Sequence, residues 1–136
     1  DEVRQLITEG IRFGSHTVTH PQLSTLTHRE VEYEIQFSKE SIEDKIGSSI
    51  DAFSYPYKFP DENIRFKNML RNLLQKHGYG YGVSTRIGTS SKSDDIFFRK
   101  RIPINNDDDI SFFKAKLVGS YDWLYFIQRF AKFIRS

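Results

Sequence analysis

The chain has no cysteine in its 136 residues, which excludes disulfide frameworks, thiolate zinc sites and cysteine nucleophiles. No apolar run approaches the roughly 18–20 residues that a membrane span requires. Charge of one sign is also missing. Twenty Lys and Arg against eighteen Asp and Glu leave a formal net charge of +2, too near neutral to argue for nucleic acid, a polybasic membrane anchor or a strongly charged substrate. There is no internal repeat and no low-complexity segment. No signal peptide is visible, and the opening Asp1-Glu2-Val3-Arg4 lacks an initiator Met and reads as mid-protein; the compartment stays open. What remains is 38% hydrophobic and 28% charged residues in 16.0 kDa, an ordinary globular mix that fits one domain. Aromatic residues are plentiful, with 12 Phe, 7 Tyr and 1 Trp, enough for a core of large side chains and a sugar-stacking surface.

Helix and short strand alternate along the chain. Val3, Leu6 and Ile7 lie at helical spacing before Gly10, and Ile11-Arg12-Phe13 reads as a short strand ending at Gly14-Ser15. A loop of Ser, Thr, His and Pro covers 14–27. Thr27 and Glu30 form a capping-box pattern, and Val31, Ile35, Ser38, Ile42 and Ile46 continue as one helical stripe up to Gly47. Ile50 to Tyr55 reads as a strand stopped by Pro56. A helix from about Asp61 to His77 ends at Gly78, and Tyr79 to Thr85 is the next strand. Residues 86–95 form a polar loop. Ile96-Phe97-Phe98 and Arg101-Ile102-Pro103-Ile104 read as an interrupted or edge strand. Asp109 is positioned to cap a C-terminal helical segment, 109–135, with a break near Gly119-Ser120. Such alternation indicates an α/β fold with a parallel sheet.

The sharpest chemical feature is Gly14-Ser15-His16-Thr17-Val18-Thr19-His20-Pro21. Two histidines three residues apart, just after a strand, can converge on one metal through imidazole nitrogens at about 2.0–2.1 Å. Open α/β folds place their ligand sites at such strand ends, and hydroxyl residues around the histidines can orient them. The same spacing also suits two loop histidines that hydrogen-bond locally. The remaining histidines, His28 in the capping sequence and His77 at a helix C-terminus, have structural readings. So do the aspartates of Asp94-Asp95 and Asp107-Asp108-Asp109, as turns and caps.

The string from Ile11 to Pro21, with Leu23 and Leu26, resembles the second motif of the polysaccharide deacetylase (NodB-homology) family of carbohydrate esterases. Phe53-Ser54-Tyr55-Pro56-Tyr57 resembles the family's third motif, one wall of its active-site groove. The segment from Gly78 through Arg101-Ile102-Pro103-Ile104 and the helix Phe112-Phe113-Lys114-Ala115-Lys116-Leu117 resemble downstream parts of bacterial members. The resemblance implies one deacetylase-like domain over 1–136, folded as an incomplete, distorted (β/α) barrel. It implies hydrolysis of N-acetyl, or in some members O-acetyl, groups on a glycan. It places a divalent metal, Zn²⁺ first among the candidates, on His16 and His20. It assigns substrate contacts to Phe53, Tyr55, Pro56 and Tyr57, with the backbone N–H of Tyr57 on the reacting carbonyl oxygen.

The sequence also departs from that pattern. The family's first motif, an Asp-Asp pair giving the catalytic base and a third metal ligand, has no counterpart upstream of His16, where only Asp1 stands. Ser54 stands where the third motif usually has Arg, and Lys58 where it usually has Gly. The late Leu-x-His motif that supplies a general acid is absent, and Asp122-Trp123 lies far past the place of the family's Asp and Trp pair. The expectation is an N-terminally incomplete domain that binds metal weakly and hydrolyses slowly or not at all. The alternative is a non-catalytic glycan-binding or oligomerising remnant. An open sheet edge predicts a homo-oligomer, at least a dimer, and the aromatic, basic stretch Tyr121–Ser136 is expected to pack on the sheet or a partner subunit rather than a membrane.

Overall fold

The computed structural model describes residues 2–57, 62–124 and 127. Its sheet has four strands in sequence order, β1 (Gly14–Ser15), β2 (Ala52–Ser54), β3 (Tyr81–Ile87) and β4 (Arg99–Arg101), every neighbouring pair parallel. Helix α1 (Glu2–Thr8) precedes β1, α2 (His28–Ile46) joins β1 to β2, and α3 (Ile64–Lys76) joins β2 to β3. After β4 comes α4 (Ile110–Leu117). Successive parallel strands added side by side through helices make an open arc of a (β/α) barrel, the α/β architecture read from the sequence.

Local chemistry sets the helix ends. Thr27 caps α2 through its side chain, which accepts from the backbone N–H of Glu30, while the Glu30 carboxylate reaches back to the Thr27 N–H. Gly47 closes the helix in the left-handed conformation at φ 73°, where a Cβ is penalised. Asn63 caps α3 and Asp109 caps α4, each side chain accepting from the backbone N–H three residues on.

The core lies between sheet and helices. Val31 and Ile35 of α2, Leu70 and Leu74 of α3, and Phe53 and Phe98 are all fully buried, each contributing about 1.5–3 kcal/mol of transfer free energy. Gly14 lets β1 close on β2: a Cβ there would lie 2.7 Å from the Ala52 carbonyl oxygen.

Four expectations are corrected. The first strand is Gly14–Ser15, not Ile11–Phe13, because contact with β2 starts only where glycine permits it. The loop expected from residue 86 begins later, since β3 runs to Ile87. Ile96–Phe98 is a 3₁₀ turn, not a strand: the Asp95 carboxylate accepts from the Phe97 N–H at 3.0 Å, and the turn buries both Phe97 and Phe98. Ile102–Ile104 lies beyond β4. Of the expected C-terminal helix, the Asp109 cap and the interruption at Gly119 are seen; residues 125, 126 and 128–136 lie outside the described residues.

Candidate functional site

The C-terminal ends of parallel strands point the same way, so the residues leaving β1 and β2 meet at one end of the sheet. His16 follows β1 directly, and His20 comes one tight turn later. Their rings lie edge to face with centroids 4.7 Å apart. Beyond β2, the exposed ring of Tyr57 packs edge-on against His20, again at 4.7 Å. The structure therefore brings His16, His20 and Tyr57 together.

Hydrogen bonds fix the first imidazole. His16 Nδ1–H donates to the Ser54 carbonyl at 2.7 Å, which selects the tautomer whose Nε2 carries a free lone pair. Ser54 also ties in β4, since Arg101 Nη1 donates to its hydroxyl at 3.2 Å.

The turn between the histidines is strained and heavily braced. Among the described residues the non-glycine positions with positive φ are Thr17 (67°), His20 (55°) and Tyr57 (54°); all three belong to this site. Left-handed backbone costs about 1–2 kcal/mol at a residue with a Cβ and persists only where surroundings over-determine it. Here Thr17 Oγ1 donates to the His16 carbonyl and accepts from the His20 N–H at 3.1 Å. Below the turn, the buried carboxylate of Glu34 on α2 accepts from the Val18 N–H at 2.6 Å, the Thr19 N–H at 3.0 Å and the Thr19 hydroxyl at 2.6 Å. Behind β1, buried Ser15 shares a 2.6 Å hydrogen bond with the Tyr79 hydroxyl, which donates to the Ile35 carbonyl at 2.9 Å. Burial raises the Tyr79 pKa, a shift partly offset by the Ser15 bond, so the phenol stays protonated in this linkage.

Other sequence candidates are placed elsewhere. Phe53 and Tyr55 are 0% and 1% exposed within the core, and Pro56 is buried too. Of that wall only Tyr57 presents its ring to solvent, because the backbone leaves β2 after Ser54 and takes a positive φ at Tyr57, outside the strand's alternation. His77 ends α3 and faces Glu32 at 3.1 Å, and His28 is an exposed residue of the first turn of α2. Asp95 and Asp109 cap helical turns, and Asp108 pairs with Lys116 at 2.6 Å. Asp122 accepts from the Thr89 N–H at 2.8 Å.

Two site residues escaped the sequence reading. Glu34 announces itself only as a carboxylate on the apolar stripe of α2, between Val31 and Ile35. Arg101 stands in the sequence only as part of the downstream Arg101-Ile102-Pro103-Ile104 string, with nothing there to tie it to Ser54. As for metal chemistry, two imidazoles with one nitrogen already oriented match part of a zinc or related donor set. Among the described residues no third His, Cys, Asp or Glu joins them.

A two-histidine site at the strand ends of a (β/α) barrel arc defines a class of α/β proteins whose chemistry sits on the loops leaving the sheet. The polysaccharide deacetylase family profile matches residues 1–82, and the chain belongs to that family. Its sequence is 24% identical over 106 residues to "Putative polysaccharide deacetylase YxkH" of Bacillus subtilis, across 77% of this chain and 36% of that protein. The fold is similar to that of the Streptococcus pyogenes deacetylase PplD, solved with acetate, at a TM-score of 0.74 and 20% identity over 85% of this chain and 48% of the other. It is also similar to a Bacillus cereus polysaccharide deacetylase at a TM-score of 0.65 and 25% identity, over 85% of this chain and 35% of that one. The chain thus spans about a third of the curated relative and about half of the streptococcal structure.

Proposed function

We propose that the chain carries part of the active site of a metal-dependent deacetylase acting on an N-acetylated or O-acetylated glycan. The carrying observation is the contact of His16, His20 and Tyr57 where β1 and β2 end. His16 Nε2 and one nitrogen of His20 would hold a divalent ion, Zn²⁺ before others. When bound, such an ion polarises the acyl carbonyl and lowers the pKa of water from 15.7 to about 7. This chain's own residues then do the positioning. The Ser54 carbonyl fixes His16, the Tyr57 N–H faces the reacting oxygen, and the exposed Tyr57 ring offers a face for sugar stacking.

A catalytic zinc site uses three protein ligands, and the described residues supply two. No third ligand joins them among the described residues, and two imidazoles alone should bind metal weakly and turn over little. Calorimetry with Zn²⁺ and Co²⁺, with His16→Ala as control, tests the first point; wild-type binding equal to that of the variant overturns it. Acetate release from N-acetyl-chito-oligosaccharides tests the second, and turnover of about 1 s⁻¹ or more by the purified chain overturns the incompleteness of the site.

The short donor set also supports a second reading, a non-catalytic glycan-binding or oligomerising module; glycan binding without acetate release would favour it. Among the described residues β1 and β4 are the outer strands of the sheet, and exposed edges recruit partners. A homo-oligomer is the expected state, and a stable monomer in sedimentation at micromolar concentration would count against it.

A further inference from the structure

We infer that Glu34 is a positioning residue that holds the histidine turn in its metal-binding shape; this rests on the metal reading above. Glu34 is 5% exposed on α2, on the helix face that packs into the core. A carboxylate there is costly to bury unless its oxygens are occupied. Every side-chain hydrogen bond found for it comes from one place, the Val18 and Thr19 segment between the two histidines. Successive backbone N–H groups converging on one anion form a small anion-binding concavity, and α2 fills it with a side chain.

That contact explains how a strained turn persists. Thr17 and His20 bracket Val18 and Thr19, and both bracketing residues are left-handed. Without a fixed anion beneath them the two N–H groups lose their partner, and the turn is free to relax toward ordinary φ. His20 would then swing relative to His16, whose own ring stays held by Ser54. Glu34 touches neither imidazole; it acts through the backbone that carries the second one.

The test uses the full chain with Glu34→Gln, Glu34→Ala and Thr19→Val, the last removing one contact without altering α2. Two quantities are read: amide hydrogen exchange at Val18 and Thr19 relative to Val31 and Ile35, and Zn²⁺ and Co²⁺ affinity. Supporting groups behind metal ligands typically contribute 10–100-fold in affinity. Glu34→Ala should lose about tenfold or more and Glu34→Gln less, with the Val18 and Thr19 amides exposed while Val31 and Ile35 keep their protection. Thr19→Val should show the smallest loss, in the same direction. Retained protection at Val18 and Thr19 in both Glu34 variants overturns the inference. So does unchanged affinity in those variants where His16→Ala lowers it. A wild-type chain that binds neither metal overturns the metal reading instead, and amide exchange then decides on its own whether Glu34 holds the turn.

Discussion

Two loops leave the same end of the sheet and handle strain in opposite ways. The loop after β3 starts with Gly88 at φ 136°, conformational space that glycine enters freely. It is then pinned by Asp122 on Thr89 and closed by Asp94 accepting from the Ser91 N–H at 2.9 Å. The loop after β1 puts the milder left-handed backbone, at φ 67° and 55°, on Thr17 and His20, and Tyr57 after β2 takes it at 54°. A loop that only has to turn gives the awkward position to glycine. Where threonine, histidine and tyrosine take positive φ instead, hydrogen bonds such as those from Val18 and Thr19 to Glu34 surround the turn.

The sharpest way to break this contrast is through metal affinity. His16→Ala or His20→Ala should weaken Zn²⁺ binding on the order of 100-fold or more, beyond the loss expected for supporting groups. Asp94→Ala in the other loop should leave it unchanged in the same calorimetric titration. Equal losses would put both loops on one footing.

Next in size is backbone strain, read by urea unfolding. Gly88→Ala should cost about 1–3 kcal/mol, because the new Cβ must take φ 136° and lies 3.2 Å from Lys100 Cδ. Tyr57→Gly should do the reverse and stabilise the chain by up to about 1 kcal/mol, while removing the ring beside His20. A destabilised Tyr57→Gly chain would mean that the aromatic contact outweighs the strain.

The smallest expected effect is pH-dependent. Hydrogen bonding from the Thr89 side chain, with its N–H and Lys100 adding to it, holds the Asp122 carboxyl below the ordinary carboxylate range. A depressed folded pKa contributes stability above the unfolded value and loses it as pH falls toward the folded one. Protection of the Thr89 amide, relative to the intrinsic exchange rate at each pH, should accordingly fall below about pH 4, and Asp122→Asn should lose that fall.

The sequence made the punctuation of the fold legible. Thr27 with Glu30, Gly47, Gly78 and Asp109 act locally, so their neighbours in the chain are enough to read them. The histidine pair and Tyr57 were legible as a motif. Strand extents were not, since β1 and β2 have two and three residues, too few for alternation to register, and Gly14 rather than hydrophobicity sets where pairing begins. The 3₁₀ turn at Ile96–Phe98 imitated a strand because three apolar residues in a row look alike in either form. Phe53 and Tyr55 stand beside Tyr57 in the motif, while their side chains are buried in the core. Glu34 and Arg101 depend on contacts with residues 15 and 47 positions away, which no local pattern reports.

Ser54 sits on an inner strand, yet its carbonyl steadies the histidine of one outer strand and its hydroxyl meets the arginine of the other. The two rims of the sheet are thereby laced together through a single small residue. A shift in register or length at the Arg99–Arg101 strand would travel to the imidazole on the far side.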